Sequence, residues 1–177
     1  GNLEMAKVSK EEITFYNLDG EEIQKKMKTV DWDAEAAEKA GYEHFMMKEI
    51  HEQPRAVKDT LNSVLKDGKI DLTDIGLAEE DIRRTSQIYI VACGSAYHVG
   101  MVAQYVIEDL VKIPVRVELA SEFRYRKPIL DPNGLVIIIS QSGETADSLA
   151  ALRETKAQGI RTLGIVNVVG SSIAREA

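Results

Sequence analysis

The sequence predicts an α/β fold of three layers: a parallel sheet covered on both faces by helices, with a β-hairpin and a linker ahead of it. Three observations carry this prediction. From residue 88 onward, short apolar runs alternate with segments of helical period. Each run is apolar nearly throughout, as in a strand buried on both faces. Before residue 43 the pattern differs, with a two-residue alternation around a turn and then an acidic stretch.

Taken in order, residues 1–30 read as strand, turn, strand. Ile13 and Phe15 alternate with Thr14 and Tyr16, the turn residues Asn17, Asp19 and Gly20 follow, and Ile23 resumes. A lone hairpin is marginal in water, so this piece is expected to belong to something larger. Residues 31–42, DWDAEAAEKAGY, read as a linker. From residue 43 a helical stripe of Phe45, Met46 and Ile50 runs to Pro54, which ends or bends it. A second helix opens at Pro54 and aligns Val57, Leu61, Val64 and Leu65 until Gly68. After a short polar helix at 78–85 come a strand at 88–92, a helix carrying Val99, Val102, Val106 and Leu110, and a strand at 115–119. A short segment leads to a strand at 135–139, a helix carrying Ala146, Leu149 and Ala150 up to Gly159, and a strand at 162–166. No solenoid repeat and no low-complexity segment occurs.

Composition narrows the function classes. The formal charge of −7, with basic residues scattered along the chain, counts against nucleic acid as a partner. No apolar run is long enough for a membrane span and the N-terminus lacks a signal-peptide pattern, so no membrane is expected. The single cysteine, Cys93, fits a reducing, cytoplasmic setting.

Two strand-to-helix junctions carry the chemistry. One is ACGSAYHVG (92–100), with Cys93, Gly94, Ser95 and Ala96; the other is ISQSGET (139–145), with Ser140, Gln141, Ser142, Gly143, Glu144 and Thr145. Both set a glycine and hydroxyls at a helix N-terminus, where unpaired N–H groups and the helix dipole favour an anion. Neither is a Walker loop or a dinucleotide fingerprint. A serine-rich cradle without a cation suits a monoester phosphate, and Gln141 with the hydroxyls suits a sugar; together they point to a phosphosugar. Glu144 would repel a phosphate, which is expected nearer Ser142 and Thr145. Either loop alone reads equally well as a set of helix caps; the pair, on strands that could be neighbours, points to a site.

The remaining candidates read as structural. His44 and His51 lie seven apart with nothing to complete a metal set, and His98 packs or caps. Cys93 ends a buried strand with no base placed for it. Arg124, Arg126 and Lys127 form a solvated or ion-paired loop. Met46 and Met47 are expected in the core. No metal, no cofactor and no catalytic residue is assigned.

The stretches ISQSGETADSLAALR (139–153), ACGSAYHVGMVAQY (92–105), VELASEFRYR (117–126) and KEIHEQP (48–54) together resemble the isomerase half of the glucosamine-6-phosphate synthases, the glutamine–fructose-6-phosphate aminotransferases. The first two are shared more loosely by sugar isomerase (SIS) domains. Residues 1–30 resemble the terminal hairpin of that family's glutaminase domain and 31–42 its linker. Residues 43–177 resemble its first SIS subdomain, cut before its last strand. The resemblance implies a flavodoxin-like sheet in the order 2-1-3-4-5, which would leave the strand at 162–166 as an unpaired apolar edge, prone to self-association. It implies that Cys93, Gly94 and Ser95 line the site and that Ser140, Gln141, Ser142 and Thr145 bind the phosphate and the sugar. The ligand would be fructose 6-phosphate or glucosamine 6-phosphate. Ala96 stands where the family often has serine, so one hydrogen bond to substrate is lost or replaced. The intact enzyme would be a cytoplasmic homodimer, joined through its isomerase domain, making glucosamine 6-phosphate and glutamate from fructose 6-phosphate and glutamine. Its cysteine nucleophile and its catalytic glutamate, histidine and lysine would lie outside these residues, so the chain alone is expected to be inactive. The competing classes are an SIS-domain sugar-phosphate sensor and a stand-alone aldose–ketose phosphate isomerase.

Overall fold

The structure, a computed structural model, describes residues 3–26 and 38–177. It divides into two compact units that meet in sequence at Ser63 and Val64. Most of the expected linker, residues 31–37, lies outside the described residues.

In the first unit, the expected hairpin is two strands of a three-stranded antiparallel sheet. Strand β1 (Met5–Val8) pairs β2 (Ile13–Tyr16), which pairs β3 (Glu22–Ile23). The turn before β3 is built as its residues dictate: the Asn17 side-chain oxygen accepts the N–H groups of Asp19 and Glu21 at 3.0 and 2.9 Å. Strand β1 carries no alternation of its own and reads out only through its partner.

Helix α1 (Phe45–Val64) runs through Pro54, where the sequence predicted an end or a bend and the opening of a second helix. Proline removes one intrahelical bond, a cost of about 3 kcal/mol that the long helix absorbs. The residues of its predicted apolar stripe are not buried. Phe45, Met46, Ile50, Val57 and Leu61 are exposed, and Met46, expected in the core with Met47, is 71% exposed. What α1 buries instead is Lys48, whose ammonium donates to the Glu38 carbonyl at 2.6 Å and lies 3.8 Å from the Glu52 carboxylate. His51 stacks on Tyr42 with ring centroids 5.2 Å apart.

The second unit begins with a small hairpin, β4 (Leu65–Lys66) and β5 (Lys69–Ile70), followed by helix α2 (Glu79–Arg84). Then comes the parallel sheet: β6 (Gln87–Ala92), β7 (Val115–Leu119), β8 (Gly134–Ser140) and β9 (Arg161–Val166), in spatial order β7-β6-β8-β9. Counted within this sheet, that is the 2-1-3-4 order implied by the family resemblance, and every neighbouring pair is parallel. All four strands fall within a residue or two of their predicted bounds, because each is an apolar run bracketed by turn residues. Strand β9 stands at the sheet edge, as expected.

Helices cover both faces. Alternate residues of the central strands feed two cores. Tyr89, Val91, Val136 and Ile138 pack with Ala120 and Phe123 of α4 (Ala120–Arg126), Ala151 and Leu152 of α5 (Ala146–Ala157), and Ile173 of α6 (Ser172–Glu176). Ile88, Ile90 and Val115 pack on the other face with Ala103 and Ile107 of α3 (Gly94–Val111). Helix α4 occupies the stretch expected as a loop. Its basic residues are ion-paired, Arg124 with Asp147 at 2.7 Å and Arg126 with Glu118.

The stripe predicted to seat α3 faces outward: Val99, Val102, Val106 and Leu110 are all more than half exposed. The helix is apolar on two sides, and the side with small residues wins. Gly100 lies so close to the sheet that an added Cβ would come within 2.8 Å of Ile90 and 3.0 Å of Val117. On α5 the most deeply buried residues are Ser148, Ala151, Leu152 and Thr155, one helical face displaced from the stripe the sequence suggested.

Candidate functional site

The two junctions meet because register and helix placement force them together. Ala92 pairs Ile139, so the chain leaves β6 and β8 at the same level, with Cys93 beside Ser140. From there α3 departs to one face of the sheet and α5 to the other. Neighbouring strands that send their helices to opposite faces open a crevice beyond their carboxyl ends. That crevice is a cavity of about 180 Å³, lined by Cys93, Ser95, Ala96, Ile139, Ser140, Gln141, Ser142 and Thr145. Six of the seven residues singled out from the sequence line it. The seventh, Gly94, does not; with φ +57° as the first residue of α3, it makes the turn that aims the loop.

The cap-only reading can now be weighed group by group. Thr145 occupies the N-cap position of α5 and Cys93 that of α3, yet neither side chain makes a cap hydrogen bond. The Thr145 hydroxyl instead lies 3.2 Å from Ser140 Oγ. Ser140 Oγ accepts the Gly143 N–H at 3.0 Å, and Ser142 Oγ accepts the Glu144 N–H at 3.2 Å, so these hydroxyls shape the loop; the Ser142 proton stays available, while Ser140 and Thr145 have one proton engaged between them. The Ser95 hydroxyl and the Gln141 amide make no hydrogen bond among the described residues. The first-turn N–H groups of α3 and α5 have no intrahelical acceptors. The cavity therefore presents unused donors.

Both nearby carboxylates are already engaged elsewhere. The Glu144 carboxylate accepts the backbone N–H of Ser172 at 2.7 Å, and that bond, with Arg175 adding to it, holds its pKa below the ordinary carboxylate value. Asp147, in the first turn of α5, is paired with Arg124, which also lies over the Tyr125 ring. The repulsion expected from Glu144 is thus directed away from the cradle. Sequence reasoning could not place this, because Glu144 finds its partner 28 residues downstream.

Among the described residues no carboxylate, imidazole or ammonium lines the cavity; its one titratable side chain is the Cys93 thiol, which accepts from Ser148 Oγ at 3.8 Å. The lining thus offers hydrogen-bonding groups that suit a polar ligand, with the Cys93 thiol as its one titratable group. His98 stays outside it, edge-on to Tyr97. No group of three His, Cys, Asp or Glu among the described residues is arranged to hold a metal ion, and no described helix is long and apolar enough to cross a membrane. A second hollow, lined by Arg84, Pro132, Asn133, Gly159 and Arg161, sits where α2 and α5 end. Of its two arginines, Arg161 is paired with Asp81.

Comparison with known proteins agrees with this architecture. The chain is 55% identical over 175 residues to the glutamine–fructose-6-phosphate aminotransferase (isomerizing) of Clostridium acetobutylicum, covering 98% of this chain and 29% of that protein. It is 54% identical over 175 residues to the enzyme of the same name from Caldanaerobacter subterraneus, with the same coverage. The chain thus spans about three-tenths of the length of these relatives. Among solved structures, the C-terminal domain of glucosamine-fructose-6-phosphate aminotransferase from Francisella tularensis superposes with a TM-score of 0.71 at 48% identity, over 79% of this chain and 39% of that one. The SIS domain family model matches residues 81–177, more than half of the chain and all of the parallel sheet, so the chain belongs to the SIS domain family.

Proposed function

We propose that this chain is the sugar-phosphate-binding portion of a glutamine–fructose-6-phosphate aminotransferase, and that the cavity between β6 and β8 takes fructose 6-phosphate or its product glucosamine 6-phosphate. The observation that carries the reading is the lining itself: hydroxyls and an amide with unused donors, at two helix N-termini, with both adjacent carboxylates engaged elsewhere. The similarity to aminotransferases over nearly the whole chain supports it.

In this reading the phosphate sits against Ser140, Ser142 and Thr145 at the head of α5, and the sugar hydroxyls face Ser95 and Gln141 near Cys93. Gly94 contributes its turn and no side chain. In the whole enzyme, the ring opening, ammonia addition and proton shift would fall to groups outside these residues, so this chain supplies binding and orientation and no turnover. Residues 1–30 would be the end of the glutaminase domain, 31–42 the linker and 43–177 the first SIS subdomain of a cytoplasmic homodimer. A cavity of about 180 Å³ is smaller than the roughly 300–1,000 Å³ usual for small-molecule sites, which fits a site that further structure completes.

Calorimetric titration tests this. The chain is expected to bind fructose 6-phosphate and to ignore fructose. Ser95→Ala and Gln141→Ala each remove a group with no internal partner, so each is expected to weaken binding by about 3–10-fold with the melting temperature unchanged. Equal binding of both sugars would refute the phosphate cradle.

A further inference from the structure

Loop 140–145 is held from behind by α6, which donates two backbone N–H groups to it. The Glu144 carboxylate accepts the Ser172 N–H at 2.7 Å, while the Gly143 carbonyl accepts the Ile173 N–H at 3.0 Å. Ser171, at the N-cap position of α6, makes no side-chain cap bond, and its buried hydroxyl has no hydrogen-bond partner among the described residues. The capping task has passed to a side chain of the site loop. The far end of α6 is tied to α5: Arg153 grips the Glu176 carboxylate through two bonds of 2.8 Å, and Lys156 donates to the Glu176 carbonyl. Loop, α6 and α5 therefore close a ring of contacts, and α5 begins at the cradle itself.

We propose that Glu144 is a positioning residue: by capping α6 it holds loop 140–145 in the shape that keeps the Ser142 and Thr145 hydroxyls turned to the ligand. This rests on the hexose-phosphate reading of the cavity. Glu144 is not among the residues that line the cavity, and its carboxylate is engaged by Ser172. The charged groups acting on Glu144 from α6 are Arg175, which favours its ionised form, and Glu176, which opposes it. With its folded pKa lowered, the carboxylate's contribution is complete at neutral pH and is lost as the pH falls through that lowered value.

Two readouts on this chain decide the matter. At pH 7, Glu144→Ala is expected to bind fructose 6-phosphate about tenfold more weakly, the size of a lost cap. Glu144→Gln, which keeps an acceptor oxygen, is expected to recover affinity to within about threefold of the unsubstituted chain. Without ligand, amide hydrogen exchange at Ser172 and Ile173 is expected to accelerate in Glu144→Ala and to stay slow in Glu144→Gln. Unchanged exchange in Glu144→Ala, or full affinity despite faster exchange, overturns the positioning role. Failure of the unsubstituted chain to bind fructose 6-phosphate would instead sink the ligand assignment, while the exchange measurement would still decide whether Glu144 holds the loop.

Discussion

Replacing Gly143 by alanine is expected to lower the unfolding free energy by about 2–5 kcal/mol and to abolish hexose-phosphate binding. Two separate penalties combine. Gly143 has φ +65°, a left-handed conformation that costs a residue with a Cβ about 1–2 kcal/mol. The added Cβ would also lie 2.0 Å from Ser171 Oγ and 2.5 Å from Ser171 Cβ, an overlap of the kind that costs about 1–3 kcal/mol in packed interiors. Ser171 is buried where α6 begins, so it cannot yield without moving that helix. Adding Ser171→Gly removes the clash and leaves the backbone penalty, so the double variant should regain roughly half of the lost stability. Urea denaturation of the two variants measures both numbers. A Gly143→Ala chain as stable as the parent would mean that loop and α6 are not packed as described.

The second large effect lies in the core. Phe123 is fully buried among Tyr89, Val91, Leu130, Val136 and their neighbours, and Phe123→Ala is expected to cost about 3–5 kcal/mol. The stretch ASEFRYR, in which it sits, contributes no residue to the cavity lining. Its Phe123 anchors α4 to the sheet, and its Arg124 ties α4 to Asp147 on α5. Fructose 6-phosphate affinity, measured well below the lowered melting temperature, is therefore expected to stay within about twofold of the parent. A large loss of affinity in a still-folded Phe123→Ala chain would move α4 from scaffold to site.

What could be read from the sequence had local causes. The parallel strands announce themselves as apolar runs, and the two hydroxyl-rich junctions follow directly from where those runs stop. The pairing of Ala92 with Ile139 then turns two candidate loops into one cavity. What could not be read depends on partners distant in sequence or on competition between two acceptable arrangements. Helix α3 offers a large-residue stripe and a small-residue stripe, and periodicity cannot say which one meets the sheet; the close approach at Gly100 decides it. Pro54 reads as a helix end by local rules, yet a 20-residue helix tolerates one missing bond. The role of Glu144 needed α6, and strand β1 needed β2.

The measurement that bears most directly on the cradle is an NMR titration of the isotopically labelled chain with fructose 6-phosphate, using fructose as the control. The expected result is saturable movement of the amide resonances of residues 93–96 and 140–146, with no response to fructose. Resonances that move instead around Arg84 and Arg161, or that respond equally to both sugars, would contradict the assignment of this crevice to a phosphorylated sugar.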